Sequence, residues 1–251
     1  IDKNGIKIGV LAYSIAEFTL AEDFNGNGAR GIDVIRILND LENLRPAVDH
    51  IIILLHMGLY LLPLPSPKQA EICRFLARQK GVKAVLCQHS HIVGSFEWLN
   101  DCFISYGQGS FLFDLNKSDS HWNKGYIVSL KFTLTEVTTD IIGTVQFNND
   151  TVIRKMSSKE QESMMNDLEE LNKALKDSEL LTEKFQQSAV KKRNGYYGMM
   201  LLPPGRYFSA LSRRVNLGKL IPKKVKITLL NLYRNEEHNE IIQEIIKQDI
   251  K

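Results

Sequence analysis

The sequence predicts an α/β protein, and three patterns carry that prediction. Two strand–helix–strand units follow one another over residues 6–88, with short apolar strands and, in the second unit, a helix that opens on a capping box. Antiparallel hairpin signals come next, between residues 92 and 147. From Ser157 onward the apolar spacing turns helical, in a segment rich in Glu and Lys. The expected organisation is an α/β body over residues 1–155 and a helical, basic C-terminal extension over residues 156–251.

Lys3-Asn4-Gly5 followed by alternating apolar residues is a hairpin-turn signal. Only two residues precede that turn, so Ile1 is read as an interior point of a longer natural chain. Ile6–Tyr13 reads as a strand, and Ala21–Gly31 as a loop centred on Asn25-Gly26-Asn27-Gly28. Asp33–Arg45 reads as a helix, with Val34, Ile37, Leu38, Leu41 and Leu44 as its apolar stripe and Pro46 as its stop. Ile51–Leu55 is a buried strand, and His56–Pro65 a loop. Ser66-Pro67-Lys68-Gln69 has the form of a capping box with Pro at the first helical position. Ile72, Phe75, Leu76 and Gln79 continue that helix to Gly81. A second buried strand, Val82–Cys87, follows. Strand, helix and strand at this length make parallel neighbours, whose C-terminal ends share one edge of the sheet. Ligands of open α/β sheets bind at that edge.

Ile92–Leu99, an Asn100-Asp101 turn and Phe103–Tyr106 then read as a hairpin, and Gly125–Leu134 with Thr138–Phe147 as a further antiparallel pair. Ser157 or Ser158 caps a helix with Met164, Leu168, Leu171 and Leu175 on one side, and the chain ends in an Ile/Glu-rich helix near Glu236–Gln248.

Composition narrows the partners. With 251 residues, 43% hydrophobic and 24% charged, this is an ordinary globular composition. A net charge of +3 is too small to argue for nucleic acid. The basic clusters Lys191-Lys192-Arg193, Arg213-Arg214 and Lys223-Lys224 read as a solvated face. Cys73, Cys87 and Cys102 show no pairing pattern and read as reduced, buried thiols. No stretch approaches the roughly 18 apolar residues of a membrane span.

The chemistry sits in the histidines. His56 follows one strand, and His89-Ser90-His91 follows its parallel neighbour, so topology brings three imidazoles to one edge. Neutral imidazole is the commonest side-chain ligand for Zn and also suits Fe, Mn and Ni. His50, His121 and His238, taken singly, read as structural. Residues at i and i+2 of an extended segment face opposite ways, so the chain must turn at Ser90 for His89 and His91 to reach one site. Three imidazoles can hold one Zn with water as the fourth ligand. A two-metal site needs carboxylates as well. Glu17 and Asp23 read as solvated loop residues and Asp114 as a cap or turn residue, which leaves the carboxylate side unaccounted for.

His56-Met57-Gly58, Gln88-His89-Ser90-His91 and Ser105-Tyr106-Gly107-Gln108-Gly109-Ser110-Phe111-Leu112-Phe113-Asp114 resemble, in order and spacing, the CapA-type family of capsule and poly-γ-glutamate biosynthesis. That family belongs to the calcineurin-like metallophosphatase superfamily. The resemblance covers residues 6–135, and Asn231–His238 is similar to the tail of some members. It implies a four-layer sandwich of two mixed sheets flanked by helices, here N-terminally incomplete. His56 is then the lone metal-ligand histidine, and His89 and His91 the Gly-His-x-His pair of a site for two divalent transition metals (Mn, Fe or Zn). Gln88 stands for the family's Gly, Met57 for its Trp, Leu59-Tyr60 where a Glu is common, and Ser110 for its Asn. The Gly-Asp and Asn-x-Glu segments that supply the other ligands are expected upstream of Ile1.

The resemblance implies a metal-dependent phosphoesterase-like hydrolase assisted by His56 or His89. It would act in capsule, poly-γ-glutamate or exopolysaccharide biosynthesis, on a surface-polymer precursor or an anionic polymer. The alternative is a non-catalytic polymer assembly or binding protein on the same fold, which the four departures motivate. A third reading, an unrelated α/β protein, expects the imidazole rings more than about 8 Å apart.

Overall fold

The structure is a computed structural model that describes residues 1–15, 28–113, 122–146, 153–201 and 217–250. The chain divides into two compact units, Ile1–Gln186 and Gln187–Lys251. Glu17, Asp23, Asp114 and His121, and most of the loop expected at Ala21–Gly31, lie outside the described residues.

The first unit is built on two sheets. The larger contains β1 (Asp2–Lys3), β2 (Ile6–Ser14), β3 (His50–His56), β4 (Val82–Gln88), β5 (Phe96–Leu99) and β6 (Cys102–Ser105), in the order β1-β2-β3-β4-β6-β5. Strands β2, β3, β4 and β6 are parallel, while β1 and β5 are antiparallel at the two edges. Asn4 (φ 56°) and Gly5 (φ 79°) supply the two left-handed residues that a tight β1–β2 hairpin requires. The smaller sheet is an antiparallel meander of β7 (Lys124–Phe132), β8 (Val137–Gln146) and β9 (Ile153–Lys155).

Alternation along the central strands sets the layers. Ile51, Ile53, Leu55, Val85 and Cys87 point to one face. There they meet Ile37 and Leu41 of α1 (Val34–Leu44) and Ala70, Cys73 and Leu76 of α2 (Pro67–Ala77). The intervening residues Ile52, Ala84 and Leu86, with Phe103, point to the other face and pack on Val128, Leu130 and Ile141 of the smaller sheet. Two sheets therefore lie face to face with helices outside, the mixed α/β architecture that the sequence predicts.

Both βαβ helices start on a side-chain cap, Ser66 as expected and Asp33 where the first helix was expected to begin. Asp33 accepts a hydrogen bond from the Arg36 amide at 3.1 Å, and Ser66 from the Gln69 amide at 3.1 Å. The second half of the α2 capping box is not made. The Gln69 side chain instead donates to the Met57 carbonyl at 3.4 Å, tying the helix start to the loop after β3.

Helix α3 (Ser158–Lys176) begins with the complete reciprocal box between Ser157 and Glu160. Met164 and Leu168 pack with Tyr126 and Met156, whereas Leu175 joins the helix-side core together with Leu181 of α4 (Ser178–Leu201). Gln161 accepts from Gly143 N and donates to Ile141 O, satisfying β8 backbone groups short of where β9 begins. Asn172 similarly accepts from Phe96 N on the edge strand β5. The segment expected as one strand, Ile92–Leu99, is extended only from Phe96. Its first residues bend so that Val93 bridges Gln108 and Gly94 N donates to Gly107 O at 2.8 Å.

In the second unit α5 (Leu217–Leu220) precedes α6 (Lys223–Arg234), which packs on α7 (Glu236–Ile250).

Candidate functional site

Register fixes the position of the first imidazole. His56 is the last residue of β3, level with Ser14 on β2 and with Gln88 on β4. The pairing runs one step further on both sides, through Ile15 N to His56 O at 3.0 Å and Met57 N to Gln88 O at 2.8 Å. His56 is therefore presented at the C-terminal edge by strands bonded on either flank.

His89 and His91 are brought round by backbone that ordinary residues rarely adopt. The φ angle is 141° at His89 and 62° at His91, and Gly58 across the gap has φ 157°. Non-glycine residues at positive φ cost energy and persist only where the surroundings hold them. Those surroundings are three loops bonded to one another. Leu61 N donates to Ser90 O at 2.9 Å, Ser95 N to Pro63 O at 2.9 Å and Tyr106 N to Ser95 O at 2.9 Å. Ser90, itself buried, closes its own turn by donating Oγ to Ile92 O at 3.0 Å. The turn that His89 and His91 need is thus made at and around Ser90.

The result is a cluster. His56 Nε2 and His89 Nδ1 lie 3.1 Å apart, with ring centroids at 4.9 Å and planes at 73°. The His89 and His91 centroids are 6.1 Å apart. Both separations fall inside the 8 Å or so that ligands of one small site require. Around them, Gln88 Nε2 donates to Gln108 Oε1 at 2.8 Å, and Ser110 Oγ is 3.3 Å from His91 Nδ1.

His91 differs from the other two in its company. Its ring is 4.7 Å from Phe113 and 4.9 Å from Trp122, nearly parallel to the latter at 20°, while Phe113 and Trp122 stack at 5.2 Å and 17°. Tyr60 meets His91 and Trp122 edge-on at 6.0 and 5.8 Å. Behind the stack, buried Gln146 accepts from Phe113 N at 2.7 Å and donates to Phe113 O at 3.1 Å and Trp122 O at 2.8 Å. Sequence reasoning placed Phe113 in the family-like motif and Tyr60 at a family Glu position without giving either a part in a stack, and it missed Trp122 and Gln146. Gln146 sits near the end of an antiparallel strand far along the chain, and nothing local marks it.

The other histidines are elsewhere. His50 is buried and donates Nε2–H to Thr133 O at 2.6 Å, a structural role. His238 lies in α7 of the second unit.

Two nitrogens converging at 3.1 Å suit either one shared proton or the edge of a metal's coordination shell, where Zn–N bonds of about 2 Å set a similar spacing. The His56 and His89 nitrogens are therefore spaced as two ligands of one ion would be. Among the described residues, no group of three or more His, Cys, Asp or Glu is assembled to hold one.

Residues 1–115 match the family described as Bacterial capsule synthesis protein PGA_cap. That match bears out the capsule-family resemblance over the stretch that holds His56, His89 and His91. No curated protein matches the chain. Among solved structures, a putative 5′-nucleotidase from Staphylococcus aureus in complex with alpha-ketoglutarate is similar at 12% identity and a TM-score of 0.38. The match covers 68% of this chain and 32% of that one, so the chain spans about a third of that structure's length.

Proposed function

We propose that the PGA_cap-like stretch carries the imidazole side of a metal-dependent phosphoesterase-like centre, acting in the synthesis of a bacterial surface polymer. The observation that carries this reading is the approach of His56 Nε2 and His89 Nδ1 to 3.1 Å at the C-terminal edge of two parallel strands. His56, His89 and His91 are the proposed ligands. Mn, Fe and Zn are all compatible with imidazole. A bound divalent ion would supply Lewis-acid stabilisation of charge developing on a phosphoryl oxygen. The chain's own residues orient that chemistry. Backbone pairing on both sides fixes His56, the Ser90 turn aims His89, and the aromatic stack holds the His91 ring. Exposed His56 or half-buried His89 can hold or pass a proton at the ring nitrogen that would not be a ligand. The capsule family supports a surface-polymer precursor or an anionic polymer as substrate.

The test is metal content and turnover of the full-length protein. Close to two transition-metal ions per chain are expected, with loss of phosphodiester hydrolysis in His89→Ala. Absence of bound metal after incubation with Mn, Fe or Zn would remove the proposal. Metal content without turnover on phosphoester, other ester or amide substrates would establish the second reading, a polymer-binding assembly protein. The substitutions Gln88 and Ser110 at family positions motivate that reading.

A further inference from the structure

The three cysteines read alike in the sequence, and the fold separates them. Cys73 lies with Ala70 and Leu76 on the face of α2 that packs on the larger sheet. Cys87 shares with Val85 the face of β4 that receives α2, and it stands two residues before His89. All three thiols are free and fully buried. Cys73 Sγ and Cys87 Sγ nevertheless lie 3.5 Å apart, in direct contact. Cys102 meets the Phe103 carbonyl instead, at 3.8 Å.

Two sulfurs in contact inside a core suit either a shared metal or a covalent bond. Structural zinc takes four ligands, and among the described residues no third His, Cys, Asp or Glu joins this pair. A disulfide holds its sulfurs about 2.0 Å apart. Closing from 3.5 Å therefore asks only for short movements of two side chains on elements already packed together. The two cysteines are 14 residues apart in the chain, so a bond would close a loop containing the turn from α2 into β4. Such a closure stabilises a fold by restricting the unfolded chain.

We propose that Cys73 and Cys87 are a disulfide site, paired as cystine where the chain folds in the presence of a disulfide oxidant, with Cys102 left as a thiol. The thiolate of one cysteine attacks the oxidant's S–S bond, forming a mixed disulfide and releasing one thiol of the oxidant. The second cysteine's thiolate attacks the protein sulfur of that mixed disulfide, closing Cys73–Cys87 and releasing the oxidant's other thiol. Two electrons and two protons pass from the pair to the oxidant. In the folded protein the contact with Cys87, and then burial, push the Cys73 thiol well up, so little thiolate forms there. The bond is therefore made while the chain folds, before α2 closes over β4. It ties the helix that holds the Met57 carbonyl to the strand that delivers His89, bracing the scaffold behind the imidazoles without entering their chemistry. This inference stands independently of metal binding.

The full chain made in cells with a disulfide-forming cytosol tests it, alkylated with iodoacetamide in denaturant and read by mass spectrometry. The soluble protein should take one alkyl group, at Cys102, with the peptides of Cys73 and Cys87 joined. Cys102→Ser should take none and keep the same crosslink. The chain made in a reducing cytosol should take three, and its thermal midpoint should lie about 5 °C or more below that of the crosslinked form. Cys73→Ala, made in both kinds of cell, should lose that difference. Three alkylated cysteines in protein from the disulfide-forming cytosol would overturn the proposal, as would a bond that includes Cys102. A crosslinked form no more stable than the reduced one would also overturn it, because the core would then not accept the bond.

Discussion

The Tyr106 hydroxyl donates to Glu97 Oε1 at 2.6 Å, and the same carboxylate takes a two-pronged bond from Arg74 at 2.8 and 3.1 Å. Arg74 also donates to Leu175 O at 3.0 Å. One half-buried network thus joins α2, β5, the residue after β6 and the end of α3. Tyr106 belongs to the Ser-Tyr-Gly-Gln-Gly segment of the capsule-family resemblance, but its hydroxyl serves the scaffold.

That network predicts a ranked pair of stability losses. Tyr106→Phe removes one hydrogen bond to a charged group and should cost about 1–2 kcal/mol. Glu97→Ala leaves a largely buried guanidinium without its partner and should cost about 3 kcal/mol or more. Urea denaturation of the three proteins checks the order, and equal losses would contradict it.

Burial, followed by the nearby Cys73 and Glu97, pushes the Tyr106 phenol well above its ordinary pKa. A group with a raised folded pKa contributes stability that is intact below the unfolded value, about 10 for Tyr, and is lost as pH rises towards the folded one. The unmodified protein should therefore lose stability above about pH 10 more steeply than Tyr106→Phe. Parallel alkaline limbs of the denaturation midpoint would refute this.

Glycines in the same segment explain part of what the sequence showed only as likeness. Gly109 has φ 73°, and a Cβ there would lie 2.4 Å from Lys124 O and 2.8 Å from Gly125 Cα. Both are backbone atoms that cannot swing away. Gly109→Ala should cost about 3 kcal/mol or more, from strain plus clash. A loss below about 1 kcal/mol in chemical denaturation would show that the Gly109–Gly125 crossing is not held so tightly.

The βαβ units were legible because their signals are local: Ser66 as a cap, Pro46 as a stop, apolar runs as strands, and a connection length that forces parallel pairing. The meeting of His56 with His89 followed from that topology. Other features depend on tertiary partners and left no local trace. Strand β9 has three residues, too few to show a period. Gln69 matches a capping box, yet its side chain goes to Met57 O, an acceptor that exists only once the loop is folded. Ile92–Ser95 is apolar enough for a strand, but the turn that aims His91 bends it away.

Gln146 illustrates the same limit and makes a prediction. It holds Phe113 and Trp122 through three hydrogen bonds, and their rings stack on His91. Gln146→Ala should shift the His91 ring-proton resonances downfield as the stacked rings loosen, while the His50 resonances stay in place. Gln146→Glu keeps only the acceptor to Phe113 N and should fall between the two. An unchanged His91 spectrum in Gln146→Ala would mean that the stack does not depend on this clamp.

The start of α3 carries the acid-side prediction. Glu160 accepts from Arg154 at 2.6 and 2.7 Å and from the Ser157 amide and hydroxyl, each at 2.8 Å. Those bonds, Arg154 first, hold its carboxyl far below the ordinary carboxylate range. A depressed folded pKa contributes stability that is present above the unfolded value, about 4.3 for Glu, and is lost as pH falls through the folded one. The Glu160 side chain is 39% exposed, so solvent and salt screen the effect. The thermal midpoint of the unmodified protein should therefore drop more steeply below about pH 4 than that of Glu160→Gln. The difference should narrow in high salt, which weakens the Arg154 contact more than the helix-cap bonds to Ser157. Identical acid limbs for the two proteins at low salt would show that Ser157 and Arg154 do not hold the carboxylate in solution.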